Sequence, residues 1–397
     1  MAKTQAPPAP RATVAATGQS PTARRRGRLG PFTIVHLVVL ELAALALLAG
    51  RNADGAVVGP WTAAAGLAAV VALGAVFLRA RGGWWYEERG PRGRWRRRGS
   101  ERTPARVPGL AVLGPLAPGL TIRSVEDRGT RIGVGQDADG WFAVLALDTQ
   151  PDLADERSAD LSLDRLVRLL PDATAVSVVS QLTLAPTAEL DPRAPAVQSY
   201  QELLGSAPVA ADQSRWVAVR LAPRDATAAA ASRGGGIEGV HRALAALVGR
   251  VGKVLSAAEI AATALDRDGL AAALAASCGL TGRSGEAEEQ WTGWHADGLA
   301  HTCLLLTRWP RPGPAELFGR LAGLPGTLVS VAVTLHGEES QPRLQGVVRL
   351  AADPKTSARA VDEARTLARR YGAQLRRVDG YHGPGVYASA PTAAVLS

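Results

Sequence analysis

Three consecutive glycines follow an arginine at Arg233-Gly234-Gly235-Gly236, where a long helical pattern begins. Backbone N–H groups at a helix N-terminus can grip an anion or phosphate, and glycine lets the ligand approach closely. The same run also works as a flexible turn that starts the helix without occupying it. Asp148, Asp152, Asp155 and Glu156 form an acidic stretch after a strand pattern. Carboxylates there could hold a metal–nucleotide; a solvated loop is the plainer reading. His295 and His301 lie near each other without a third ligand, and His36, His241, His336 and His382 are scattered. Ordinary packing or surface roles suit them better than a metal. Cys278 and Cys303 neither cluster nor pair with histidine at metal spacing. They read as free buried thiols of a reducing compartment, with one disulfide as the alternative. Trp291 and Trp294 could anchor against the core or a partner. No GxxxxGK[ST], G-x-S-x-G, H-E-x-x-H or C-x-x-C pattern occurs, so a P-loop ATPase is not expected. No catalytic, cofactor-binding or metal residue is assigned, and no cofactor is expected.

The elements that must position these residues follow from apolar periodicity. In a first unit, 120–280, strands are expected at 132–134 and 141–147 around Asp139-Gly140. A helix follows at 161–170, capped by Ser162 or Asp164, then strands at 175–184 and 216–221. The proline-bearing loop between those strands has room for a short helix near 197–204. A long helix is expected at 236–255, a strand at 258–265, and a helix at 268–278 capped by Asp266 or Asp268 and ended by Gly279. A Gly, Ser and Glu-rich linker, 281–289, leads to a second unit, 290–397. There the order is strand 301–307, helix 314–322, strands 328–336 and 343–351, helix 357–371, strand 373–378 and an extended tail 381–389. Both halves read as βαββαβ. The expected fold is therefore an α+β region of two tandem βαββαβ-type units, with a single larger α/β sheet as the alternative.

This region is expected to follow a membrane anchor. Two apolar runs, 32–49 and 61–78, would each span roughly 27 Å as helices at about 1.5 Å per residue, close to the ~30 Å hydrocarbon core. They predict a two-helix transmembrane hairpin within 30–80 rather than a cleaved signal peptide. Arg24, Arg25, Arg26 and Arg28 precede the first run, and Arg79, Arg81, Arg89 and Arg92 follow the second. The positive-inside rule then places both termini in the cytoplasm of a multi-pass plasma-membrane protein. Glu41, inside the first run, is a candidate helix-docking residue, because a carboxylate in lipid needs a partner. Arg79, Arg81, Trp84, Trp85 and Tyr86 are candidate membrane-surface residues. Segment 1–29 reads as a disordered basic tail and 81–119 as a basic juxtamembrane linker on anionic lipid. The net charge of +9 concentrates there, which favours membrane lipids over nucleic acid as partner; no nucleic acid is expected.

The order of these features resembles the EccE family, a membrane component of actinobacterial type VII secretion machines. The matching pieces are the paired apolar runs with an arginine-rich exit and Trp216-Val217-Ala218-Val219-Arg220-Leu221. Arg233-Gly234-Gly235-Gly236 follows, then Trp291 and Thr307-Arg308-Trp309-Pro310. The resemblance runs to about Val386. It implies a non-catalytic subunit beside EccB, EccC and EccD, with EccC the ATPase motor, and it offers no active-site residues to carry over. The leading reading is a scaffold subunit of a secretion complex. The rival is a membrane-anchored enzyme of envelope synthesis such as a glycosyltransferase, for which Asp148 and Asp152 are the nearest candidates. A membrane-tethered nucleic-acid binder is the third.

Overall fold

The computed structural model describes Val107 and residues 109–396, with breaks at 128, 149–172, 281–286, 311–313, 323, 325 and 339–340, and within 186–208, where only Pro195, Gln198, Ser199 and Glu202 are described. Before residue 100 it describes Arg28, Leu29, Phe32, Thr33, Glu41, Arg79, Ala80, Gly83, Trp84 and Trp95. The chain forms two compact units, one within residues 21–100 and one from residue 101 onward.

In the smaller unit, β1 (Arg28–Leu29) pairs antiparallel with β2 (Phe32–Thr33), and β3 (Arg79–Ala80) with β4 (Gly83–Trp84). The transmembrane hairpin expected at 32–49 and 61–78 is corrected by the structure. Among the described residues no helix is long and apolar enough to cross a membrane, and the first run opens in a strand pair. Hydropathy reports how apolar a run is, not which partner its backbone N–H and C=O groups take. Most of both runs lies outside the described residues.

In the larger unit the chain enters through a 3₁₀ turn, Ala111–Leu113, whose neighbours Leu110, Leu113 and Leu120 are buried. Three strands follow as a meander: β5 (Thr121–Asp127), β6 (Thr130–Asp137) and β7 (Gly140–Leu147). Next come β8 (Ala175–Ala185) and β9 (Val209–Leu221), then α1 (Pro223–Ala231) and α2 (Gly236–Ser256). The short β10 (Ala262–Ala264) and α3 (Arg267–Cys278) close the first half. The second half runs β11 (Ala287–Gln290), β12 (Gly293–Ala296), β13 (Leu299–Arg308), α4 (Pro314–Ala322), β14 (Leu328–Glu338) and β15 (Gln341–Ala352). It ends with α5 (Ser357–Arg370), β16 (Gln374–Arg377) and α6 (His382–Ser389).

The expected tandem of separate βαββαβ units is also corrected. All strands from β5 onward join one 12-stranded antiparallel sheet in the order β11-β12-β13-β15-β14-β8-β9-β7-β6-β5, with β10 on β7 and β16 on β13. The halves meet where β14 pairs with β8, from Leu328↔Thr183 to His336↔Ala175. Outward from that seam the order repeats: β8, β9, β7, β6, β5 on one side and β14, β15, β13, β12, β11 on the other. The reason lies in the seam strands. Val176 and Val179 of β8, and Val329, Val331, Ala332 and Leu335 of β14, are buried on both faces, and so are Ser177, Gln181, Ser330 and Thr334. Strands buried on both sides belong in the middle of a sheet, not at its edge. Thr334 Oγ1 donates to Ser177 Oγ at 3.0 Å across the seam, so these polar groups are paired as well.

Period-2 alternation sorts the strand side chains between two faces. One face is covered by α1 and α2 over the first half and by α4 and α5 over the second. There α2 lays down Val240, Leu244, Leu247, Val251 and Leu255 at helical spacing, and α5 lays down Ala360, Ala364 and Ala368. The other face carries a single core shared by both halves, built from Phe142, Val144, Trp216 and Ala218 together with Cys303, Leu305, Ala332 and Val347. Helices α3 and α6 and the segment around Leu113 cover it. Residues 381–389, expected as an extended tail, are largely the helix α6. Pro384 sits in its first turn, where a missing N–H costs nothing.

Candidate functional site

The densest chemistry among the described residues lies on this shared face, beneath α6. Arg349 interrupts the apolar strand β15 and is fully buried. Among the described residues, no carboxylate is one of its hydrogen-bond partners. Its Nε donates to Ser389 Oγ at 2.8 Å, Nη1 meets His301 Nδ1 at 3.1 Å, and Nη2 donates to the Ser277 carbonyl and lies 3.5 Å from Gln181 Oε1. These groups come from β15, α6, β13, α3 and β8. Burial lowers the guanidinium pKa. His301 is held well below the usual histidine range, first by burial and then by the Arg349 charge. An arginine donating to Nδ1 requires a neutral ring with its proton on Nε2, and that ring meets Trp294 edge-on at 5.0 Å.

The two thiols flank this cluster. Burial pushes Cys278 up to about 11 and Cys303 up to about 12. Cys303 contacts His382 in a way that excludes a thiol–imidazole pair. His382 Nδ1 accepts the Cys303 backbone N–H at 3.1 Å, while Cys303 Sγ donates to the His382 carbonyl at 3.5 Å. The imidazole nitrogen is thus occupied by backbone and cannot take the thiol proton. Both cysteines are free.

A second buried cluster ties α6 to the first half. Arg220 of β9 donates through Nη1 and Nη2 to the two oxygens of Asp137, each at 2.8 Å. Tyr387 donates its hydroxyl to Asp137 Oδ2 at 2.6 Å, and Arg220 Nε donates to the Thr392 carbonyl at 2.9 Å. Arg220 also lies over the Phe142 ring at 5.0 Å. Burial raises the Asp137 carboxyl, and the bidentate arginine more than reverses this, leaving its pKa below the ordinary value. Burial and the neighbouring Asp137 charge push the Tyr387 phenol well up. Every charged group in the two clusters is engaged by the fold itself. The arrangement fastens elements together and presents no nucleophile beside a free base.

Among the residues singled out from the sequence, Arg233, Gly234, Gly235 and Gly236 form the turn from α1 into α2. All three glycines have positive φ, of 90°, 71° and 61°, which side-chain-bearing residues rarely adopt. Arg233 Nη1 donates to the Ala229 carbonyl at the end of α1, a favourable place for a cation, and Arg242 Nε donates to the Arg233 carbonyl. Glu41 is helical and exposed. Arg79 and Trp84 are register partners in the β3–β4 pair; Arg81, Trp85 and Tyr86 lie outside the described residues. Asp148 is exposed at the end of β7, its N–H donating to the Ala261 carbonyl at 3.0 Å; Asp152, Asp155 and Glu156 lie outside the described residues. Among the described residues no group of three or more His, Cys, Asp or Glu could hold a metal ion. Sequence reasoning passed over Arg349, Asp137 and Tyr387, and met Arg220 only as a letter of the Trp216–Leu221 motif. The signal available was a charged or amide residue inside an otherwise apolar strand, as at Arg220 in β9 and Arg349 in β15, since such groups are buried only when paired.

Residues 209–306, roughly a quarter of the chain, match the family described as "Putative type VII ESX secretion system translocon, EccE". No curated protein matches the chain. The matched stretch runs from β9 through α1, α2, β10, α3, β11 and β12 into β13, and it carries the connection from the first half of the sheet to the second. It includes Trp216–Leu221, the Arg233–Gly236 turn and Trp291; the Thr307–Pro310 motif falls just beyond it. The match supports the resemblance drawn from the motifs to the EccE family of type VII secretion components.

Proposed function

We propose that the chain is a non-catalytic scaffold subunit of a type VII secretion translocon, and that its sheet unit is a docking body for other subunits of the complex, EccB, EccC and EccD. The observation that carries this reading is the family match across β9 to β13. The buried clusters agree with it: Arg349, Arg220, Asp137 and His301 are spent on holding strands and helices together, an arrangement suited to a body that must keep its shape.

The test is native purification of the tagged chain from detergent-solubilised membranes. Co-purification of EccB, EccC and EccD, with loss of secretion but not of any turnover activity on deletion, is the expected result. Recovery of the chain alone, from cells that secrete normally without it, overturns the reading. Asp148→Ala separates it from the envelope-synthesis rival. A scaffold keeps full secretion with this change, whereas a metal–nucleotide enzyme loses its function.

A further inference from the structure

The large sheet ends differently on its two sides. At one edge β11 is four residues long and carries Glu288 and Glu289, a short, charged form that discourages pairing. At the other edge β5 is seven residues long and has no proline, lysine or bulge. It pairs with β6 in unbroken register from Thr121↔Gln136 to Asp127↔Thr130. Among the described residues no strand lies on its outer side. Such an edge leaves a row of backbone N–H and C=O groups ready to pair with another chain.

Which groups those are follows from Gly133. It stands opposite Ser124, yet its N–H donates to the Leu265 carbonyl at 2.7 Å, on the side of β6 away from β5. Ser124↔Gly133 is therefore a pair without mutual hydrogen bonds, and in an antiparallel ladder such pairs alternate with bonded ones. Ile122, Ser124 and Glu126 accordingly turn their N–H and C=O groups to the free edge. The side chains of Arg123, Val125 and Asp127 share the face that α2 covers. Val125 packs against the core beneath that helix, and the Arg123 charge reaches its His241. Arg123, Ser124 and Glu126 are exposed. Among the described residues neither Arg123 nor Asp127 has an ion-pair partner.

We propose that β5 is a self-pairing edge, through which two copies of the chain join antiparallel about a two-fold axis at Val125 into one continuous sheet. An axis normal to the sheet keeps each face on its own side. Val125 then meets Val125 of the partner subunit, and Ser124 exchanges backbone hydrogen bonds with Glu126 of the partner subunit. Arg123 stands opposite Asp127 of the partner subunit, twice by symmetry. Opposite charges across a ladder stabilise it and like charges destabilise it. An axis at Arg123 or Glu126 would set like charges on each other, and one at Ser124 would pair no charges. The charge pattern of β5 thus selects the register at Val125. The proposal stands independently of the secretion role.

The test uses the full chain purified in detergent, in which the native thiols are buried. Val125→Cys sets two cysteines opposite each other with Cα atoms about 4.5 Å apart, within disulfide reach. Copper-phenanthroline oxidation is expected to give a disulfide-linked dimer. Thr121→Cys holds its two thiols roughly 27 Å apart along the same ladder, and is expected to give none. Arg123→Asp should lower the Val125→Cys yield, and the dimer fraction read by light scattering, at least about fivefold, because two attractive pairs become repulsive. Adding Asp127→Arg should restore both. Asp127→Arg alone should act as Arg123→Asp does, so the test survives if one single variant fails to fold by near-ultraviolet circular dichroism. A folded Val125→Cys chain that stays monomeric overturns the proposal. So does equal cross-linking at positions 121 and 125, or a charge swap that fails to recover the loss.

Discussion

Asp137, at the end of β6, takes both terminal nitrogens of Arg220 on its two carboxylate oxygens at 2.8 Å. The pair is buried, and Tyr387 closes it from α6. Removing one partner leaves the other charge uncompensated inside the protein. Asp137→Ala is expected to cost about 3–5 kcal/mol, whereas the double change Asp137→Leu with Arg220→Met recovers most of it. Urea denaturation of the single and double variants measures both; equal losses would show that the ion pair is not the source.

Acid sensitivity should begin well above the carboxylate range. His301 is neutral in the fold, held well below its ordinary value by burial and by Arg349, but takes up a proton in the unfolded chain below about pH 6.5. The unfolded state then binds more protons, so stability falls as pH drops from about 6.5, by up to about 1.4 kcal/mol per pH unit for this group. His241 is lowered as well and adds the same sign. Asp137, whose pKa is lowered in the fold, adds a separate loss only below about pH 3.9. His301→Gln keeps an acceptor for Arg349 and should flatten the slope between pH 6.5 and 5, as read from unfolding midpoints.

Cys278 and Cys303 are fully buried, with thiols raised to about 11 and about 12. The thiolate is the reactive species. Neither should react with iodoacetamide in the native protein at pH 8, and both should label on unfolding. Labelling of either at the rate of a free thiol under native conditions would show that the shared core opens.

Gly133 of β6 passes directly beneath the start of α3. Its N–H donates to the Leu265 carbonyl at 2.7 Å, and an added Cβ would strike the Asp266 backbone carbonyl. Asp266 is the residue that caps α3 by accepting the Gly269 N–H. A backbone atom held in a cap has little freedom to retreat, so Gly133→Ala should destabilise the protein by roughly 1–3 kcal/mol. A thermal melt reads the loss, and hydrogen exchange across 266–270 should rise with it.

Gly385 faces the opposite constraint on the same sheet face. A Cβ there would lie 2.7 Å from Cys303 Cβ and 2.9 Å from its sulfur. Gly385→Ala is expected to lift α6 from β13, lower the melting temperature and expose Cys303 to iodoacetamide. Unchanged labelling with a lowered melting temperature would place the damage elsewhere.

Much of the larger unit was legible from its residues. Helices α2, α4 and α5 and strands β8, β13, β14 and β15 lie close to where periodicity and capping placed them, because a 3.6-residue or two-residue repeat is written into consecutive positions. The ends of α3 could be read as Asp266 or Asp268 and Gly279 for the same reason, capping being a contact within four residues, and the structure makes Asp266 the cap. The expected repeat of βαββαβ in both halves did not give the architecture, and its first helix, 161–170, lies outside the described residues. The merger of the halves into one sheet was not legible, because pairing β8 with β14 joins Ala175 to His336, and no local pattern says which strand lies beside which. The apolar runs near the N-terminus show the same limit, since hydropathy scores composition and not partners. The buried clusters are the strongest case. Arg349 meets Gln181 across 168 positions and Tyr387 meets Asp137 across 250. Spacing marked none of them as a site, because each becomes one only when the chain has brought a charge out of water and had to supply its partner there.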